Sequence, residues 1–238
     1  RVMNEKTVIG ELIVLHNVTP FKELDYAKTN FLATVSHELK TPIAAIKMSL
    51  KLLNSTGSVQ LSEEQKQLLD SIADDTERLL KITSELLNMT QIETGNIQLN
   101  IAAVDPGKII ELSINAVSSL AEQKNIRFEI NMPDNLPMVT ADSDKTVWVM
   151  VNLLTNAIKY SPENSTITID AISKNDTVLF KVKDHGPGIA NQYTERVFER
   201  YFKIPGSKGG TGLGLAISRE FIEAQKGKIW VDCNAGEG

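Results

Sequence analysis

Between Phe21 and about Leu53 the apolar positions Leu32, Val35, Leu39, Ile43, Ile46, Leu50 and Leu53 recur at steps of three or four. That spacing lines one face of an α-helix. Asn54-Ser55-Thr56-Gly57-Ser58 breaks the pattern. Ser62-Glu63-Glu64-Gln65 restarts it with the signature of a capping box. Leu69, Ile72, Thr76, Leu79, Leu80, Leu86, Leu87 and Ile92 carry a second stripe. Two long helices joined by a short loop predict an antiparallel hairpin. One hairpin buries its stripe poorly, whereas two make a four-helix bundle, so a homodimer is expected.

The period changes on both sides of this hairpin. Thr7 to His16 is β-branched and apolar, which reads as a strand, and Asn17-Val18-Thr19-Pro20 punctuates it. A lone strand is not stable, so residues 1–20 are expected to be the end of an upstream domain and its linker. After Gly95 the chain alternates. Asp105-Pro106 supplies an N-cap and a proline at the first helical position. Helices are expected over Ile109–Gln123, Asp144–Tyr160 and Gly212–Gln225. Strands are expected over Ile126–Ile130, Thr166–Ile172, Thr177–Lys183 and Lys228–Cys233. Strands with helices on one face predict an α+β sandwich.

Composition narrows the function classes. The 238 residues suit two compact units, and 42% hydrophobic with 23% charged residues is ordinary for a globular chain. A net charge of −5 offers no broad basic surface, so no nucleic-acid partner is expected. The single cysteine, Cys233, suits a reducing cytosol. No run of about 18 apolar residues occurs. The chain reads as a cytoplasmic fragment of a longer protein, with room for a membrane anchor upstream.

Polar residues in unusual places carry the chemistry. On a helix, His37 lies about 160° from both Val35 and Leu39, so it is expected to face outward if those two face inward. Neutral imidazole is a good nucleophile, and Glu38 beside it can accept a proton. Thr41 stands one turn further along the same face. Asn152 and Asn156 share a face of the third helix and Lys159 and Tyr160 extend it; asparagine is a poor helix former, and its amide oxygen suits Mg²⁺. Asp184-His185-Gly186-Pro187-Gly188 follows a strand, where glycines permit a sharp turn and close approach to a ligand. Gly209-Gly210-Thr211-Gly212-Leu213-Gly214 opens a helix, so backbone N–H groups and the positive dipole end can meet phosphate. The spacing is neither a Rossmann fingerprint nor a P-loop.

In order along the chain, Phe31 to Ile43, Trp148 to Tyr160, Asp184 to Ile189, Val197 to Lys203 and Gly209 to Leu215 resemble the H, N, G1, F and G2 boxes of two-component sensor histidine kinases. The resemblance covers roughly Phe21 to Gly238. It implies a dimerisation and histidine-phosphotransfer bundle over 21–94 and a Bergerat-type ATP-binding sandwich over 95–238. His37 would be the phosphoacceptor, Glu38 its acid/base partner and Thr41 an aid to dephosphorylating the partner regulator. ATP and Mg²⁺ would be the cofactors, with Asn156 as the Mg²⁺ ligand. Asn152 and Lys159 would lie near the phosphates, Tyr160 would wall the nucleotide, and Asp184 would accept from the adenine amino group.

Within the same resemblance Gly186 and Gly188 shape the adenine loop, and Gly210, Thr211, Gly212, Leu213 and Gly214 the phosphate loop. Lys203 stands where an arginine is common, and Ile204 to Lys208 would form a mobile lid. His185 departs from the usual asparagine. Lys228 to Val231 looks like the family's late strand, and Gly10 to Asp25 resembles the end of a PAS sensor domain. A response-regulator receiver domain is the implied partner. Two other readings remain open: an ATPase of the gyrase, Hsp90 and MutL group, and a dimeric scaffold that binds nucleotide without transfer.

Overall fold

A computed structural model describes residues 2–4, 7–10, 35, 38–51, 53, 62–95, 97–207 and 210–232. Strands β1 (Val2–Asn4) and β2 (Thr7–Gly10) pair antiparallel. The expected strand therefore has a partner within the chain and is not alone, as the sequence reading had it. Residues 11–34, which include the PAS-like stretch, lie outside the described residues.

Helix α1 covers residues 38–51, and α2 runs over Glu63–Glu93. The capping box is as expected: Gln65 N–H donates to Ser62 Oγ at 3.2 Å, and Ser62 N–H donates to Gln65 Oε1 at 2.9 Å. Thr94 caps the far end, and Gly95 follows with φ +67°. A glycine there takes the left-handed turn at little cost. An ion pair between Lys47 and Glu77 joins the two helices.

Ile43 and Leu50 of α1 are buried, as are Thr76 and Thr83 of α2. Each threonine hydroxyl is satisfied by a carbonyl of its own helix. Ile92 of the second stripe is buried too, and Leu69, Leu80, Leu86 and Leu87 are half-buried, but other apolar positions of the hairpin stay open. Leu39, Ile46, Leu68, Ile72, Leu79 and Ile82 are all more than a third exposed. Leu39, expected to point into a bundle formed by two hairpins, is 45% exposed in the single chain.

The second unit is built in two layers. Helix α3 (Pro106–Gln123) starts at Asp105, whose carboxylate accepts from Gly107 N–H at 2.9 Å. Helix α4 (Ser143–Tyr160) starts at Asp142, whose carboxylate accepts from Lys145 N–H at 2.9 Å and from Asn100 N–H at 2.7 Å. Beneath these helices lies a three-stranded sheet of β4 (Arg127–Asn131), β6 (Thr166–Lys174) and β7 (Thr177–Lys183). β6 is central, parallel to β4 and antiparallel to β7. Along β6, Ile167, Ile169 and Ala171 point into the core, alternating with half-buried Thr166, Thr168 and Asp170. They meet Ile109, Ile110 and Val117 of α3 and Met150, Leu154, Ala157 and Ile158 of α4.

Two strands were not foreseen: β3 (Ile101–Val104) and β5 (Val139–Asp142) form a separate antiparallel pair. Conversely, the strand expected at Lys228–Cys233 is absent over 228–232, and Cys233 lies outside the described residues. Asp232 comes within 3.9 Å of Lys181 on β7, but residues 228–232 make no ladder. Among the described residues, 228–232 pair with no strand, and a β-prone stretch outside a ladder is not a strand. The last helix, α5, is shorter than expected, Gly214–Ala224.

Candidate nucleotide site

Helix α4 sets the site's floor, and its C-terminal end is tied down firmly. Lys124 Nζ donates to the carbonyls of Ile158, Lys159 and Ser161 at 2.9, 3.0 and 3.1 Å. An ammonium on the last turn satisfies otherwise unpaired carbonyls and suits the negative end of the helix dipole. Sequence reading missed Lys124, since a lysine between a helix and a strand carries no local signal of its partners.

The four residues picked out on α4 fall into different environments. Asn152 is buried; its Nδ2 donates to Ser218 Oγ on α5 at 3.0 Å. A Cβ on Gly214 would sit 2.6 Å from Asn152 Oδ1, so α5 begins flush against this amide. Asn152 thus locks the two helices together. Asn156 is half-buried one turn further on. Lys159 and Tyr160 are exposed at the end, with Lys159 Nζ 3.3 Å from the Tyr160 hydroxyl and 4.8 Å from its ring centre.

The loop after β7 folds onto this helix end. Asp184 Oδ1 accepts Gly186 N–H at 2.7 Å. Gly186 has no room for a side chain: a Cβ would meet Asp184 Oδ1 at 2.8 Å and both the Tyr160 carbonyl oxygen and Cβ at 3.2 Å. His185 Nδ1 lies 2.8 Å from the Thr166 carbonyl, bracing the loop against the start of β6. That is the placement of the residue that departs from the usual asparagine.

The glycine-rich loop closes the other side. Gly210 stands at φ +92°, where a Cβ would lie 3.9 Å from Lys159 Nζ. Gly212, at φ +77°, packs against the backbone of Tyr201, with a Cβ distance of only 2.7 Å. Tyr201 N–H donates to Gly212 O at 2.8 Å, and Tyr201 itself holds φ +63°. A non-glycine residue in that region is uncommon and marks a constrained site. Leu213 N–H donates to Thr211 Oγ1 at 3.2 Å, and α5 carries no other side-chain cap at its start.

Phe198 of the preceding segment is buried, with the Arg219 guanidinium 4.0 Å from its ring centre. Phe202 lies against Tyr193 and Arg196. Lys203 is exposed, and Ser207 N–H closes a turn onto the Ile204 carbonyl at 3.0 Å.

Asn152, Lys159, Tyr160, Asp184, Gly186, Gly210, Thr211, Gly212, Leu213 and Gly214 are therefore gathered where the end of α4, the loop after β7 and the start of α5 meet. Asn156 belongs to the same stretch of α4, and Gly188, with φ +70°, to the same loop. On the bundle side Glu38 and Thr41 are exposed on α1. His37 lies outside the described residues, as does Gly209.

A second cluster joins the bundle to this unit. Met89 and Ile92 of α2 pack with Val149 of α4 and with Leu213, Ile217 and Phe221 at the start of and along α5. Trp148 meets Phe221 edge-on, with ring centres 5.4 Å apart. Arg200 bridges Glu93 of α2 at 3.1 Å and Glu220 of α5 at 3.4 Å.

Two family models match separate stretches of the chain. Residues 27–95 match the family described as "His Kinase A (phospho-acceptor) domain". Residues 141–238 match "Histidine kinase-, DNA gyrase B-, and HSP90-like ATPase". The sensor histidine kinase WalK of Bacillus subtilis is 32% identical over 235 residues, covering 96% of this chain and 38% of its own length. The sensor protein kinase WalK of Staphylococcus aureus is 31% identical, covering 97% of this chain and 56% of its own. This chain thus spans well under two thirds of those relatives.

Among solved structures, full-length ShkA in complex with AMPPNP is similar at a TM-score of 0.67, with 27% identity over 84% of this chain and 42% of that one. Histidine kinase ThkA in complex with the response regulator TrrA gives a TM-score of 0.57, with 25% identity over 89% of this chain and 59% of that one.

Proposed function

Because the chain belongs to the two-component sensor histidine kinases, we propose that it moves the γ-phosphate of ATP onto His37 and then onto an aspartate of a response-regulator receiver domain. The observation that carries this reading is the gathering of Asp184, the end of α4 and the glycine-rich start of α5 into one site. With Asp184 Oδ1 committed to Gly186, the other carboxylate oxygen accepts from the adenine amino group. Tyr160 walls the base. Lys159 faces the glycine-rich loop, where the phosphates meet the start of α5.

The donor set fits Mg²⁺. Among the described residues no group of three or more His, Cys, Asp or Glu gathers to hold a metal. An ion supplied with ATP would need few protein ligands, and Asn156 is the residue that would help hold it. Bound there, Mg²⁺ neutralises charge on the phosphates. In the transfer, an imidazole nitrogen of His37 forms a bond to the γ-phosphorus as the bond to the bridging oxygen breaks. ADP departs, and Glu38 takes the imidazole proton. The residues' work is positioning and charge neutralisation.

The bundle supplies the acceptor as a homodimer. Leu39, Ile46, Ile72 and Leu79 are exposed in one chain and form the face a second copy covers. The unit boundary falls at Thr94–Gly95, where α2 is capped. No helix among the described residues is long and apolar enough to cross a membrane; an anchor, where present, lies upstream.

Incubation with γ-labelled ATP tests the reading. Wild type should acquire acid-labile, base-stable label, and His37→Gln should lose it while keeping ATP affinity and dimer mass. Asn156→Ala should lose label by failing at ATP. Mixed Asn156→Ala and His37→Gln chains should regain label where transfer crosses subunits. Acid-stable label, or label retained in His37→Gln, refutes the phosphoacceptor assignment. ATP hydrolysis without labelling favours the gyrase-type alternative, and nucleotide binding with neither favours a scaffold.

A further inference from the structure

Glu85 is a buried charged residue that the catalytic reading leaves without a task. It sits on α2 and is only 2% exposed. Burying a carboxylate is costly unless hydrogen bonds hold it. Its partner comes from the other unit: the Thr211 hydroxyl, in the middle of the glycine-rich loop, donates to Glu85 Oε2.

Thr211 is then fully engaged. Its one hydroxyl proton goes to Glu85, while the oxygen accepts Leu213 N–H at 3.2 Å. The hydroxyl cannot at the same time donate to a phosphate oxygen. The residues on either side, Gly210 and Gly212, both hold positive φ. Thr211 is thus carried between two glycines whose backbones can be re-aimed. Its loop reaches Lys159 on one side and Glu85 on the other. The carboxylate also places negative charge beside the start of α5, the end of the helix that favours anions.

We infer that Glu85 is a positioning residue that sets α2 docking and nucleotide-phosphate binding against each other, by holding Thr211 and placing a buried carboxylate beside the phosphate loop. The inference rests on the nucleotide reading above. The opposition is reciprocal: whatever factor α2 docking takes from phosphate affinity, bound phosphates take from docking. Among the described residues α2 is also held across that junction by Met89 and Ile92 in the apolar cluster, which reaches Leu213 and α5, and by the partly exposed Glu93–Arg200 pair. Loss of the Glu85 tie therefore leaves α2 attached while freeing the Thr211 hydroxyl.

The test compares wild type, Glu85→Gln and Glu85→Ala. Glu85→Gln keeps an acceptor of the same shape without the charge. Affinities for ATP, ADP and adenosine are measured on each intact chain, and hydrogen exchange at Glu85–Glu93 is followed with and without ATP. Glu85→Ala should bind ATP about fivefold or more tighter than wild type, with adenosine unchanged and Glu85→Gln between. In wild type, ATP should speed exchange at Glu85–Glu93 and adenosine should not. A merely structural role would shift ATP and adenosine together. An unchanged ATP-to-adenosine ratio in both variants, or slower exchange of α2 with ATP, overturns the inference. Wild type that binds neither ATP nor ADP removes the nucleotide reading itself, a distinct result from binding that ignores Glu85.

Discussion

The two halves of this chain solve the burial problem in opposite ways. In the α/β unit, Ile109, Leu154, Ile167, Ile169 and Phe221 are wholly buried by residues of the same chain. In the helical hairpin, Ile43 and Leu50 are covered while Leu39, Ile46, Ile72 and Leu79 remain open. One unit owns a complete core and the other owns half of one. On the proposed function the chemistry splits along the same line: the self-sufficient unit would hold the nucleotide, and the acceptor histidine would stand on the unit whose open face a second copy would cover. A kinase built this way can recruit its acceptor by docking, without rebuilding the nucleotide site.

The largest effect should come from attacking the half-core. Ile72→Glu with Leu79→Glu places two charges per chain on the exposed face and should give a monomer by light scattering, with ADP affinity within about twofold of wild type. A stable dimer in this variant would contradict the proposed interface. Loss of ADP binding along with the dimer would erase the contrast between the units.

Within the complete unit, two glycines at similar φ separate backbone strain from crowding. Gly212→Ala suffers both, since its Cβ would lie 2.7 Å from Tyr201 backbone. It should lower ATP affinity about tenfold or more, corresponding to about 1–3 kcal/mol of local strain. Gly188→Ala meets nothing within 4 Å and bears the φ cost alone, about 1 kcal/mol. Equal losses in calorimetric titrations would show that the contact with Tyr201 does not matter.

Thr41 is exposed on α1 and belongs to the acceptor side of the comparison. A hydroxyl there can orient a water against an aspartyl phosphate. Thr41→Ala should keep autophosphorylation near wild type and slow dephosphorylation of the cognate regulator several-fold. Matched dephosphorylation rates, followed on regulator loaded with phosphate, would sink that role.

The smallest effect is expected at Lys203, exposed beside the glycine-rich loop. As a point charge and not a bidentate fork, it should help the terminal phosphate only modestly. Lys203→Ala should slow transfer and leave ADP affinity within about twofold. An equal loss for ADP and ATP would place it away from the γ-phosphate.

Much of the architecture was legible because the signals are local. The capping box at Ser62, the Asp105-Pro106 start of α3 and the turn around Asn175, which holds φ +54°, depend on residues within a few positions of one another. The glycine-rich motif was legible for a related reason: Gly210 and Gly212 hold positive φ, which glycine adopts at little cost. His37 was likewise named from its motif, and its geometry lies outside the described residues.

What the sequence could not decide depends on partners far along the chain. Ile101–Val104 became a strand because Val139–Asp142 lies beside it, whereas residues 228–232, more strand-like in composition, make no ladder. That Asn152, expected near the phosphates, also joins α4 to α5 through Ser218 and beside Gly214 is seen only in the fold. Glu85, which no sequence signal singled out, is met by Thr211 from another unit. Periodicity and caps are set by bonds within a turn or two, so the local sequence determines them. Hydrogen-bond ladders and buried polar pairs need atoms separated by tens of residues to arrive together, and only the tertiary structure decides which do.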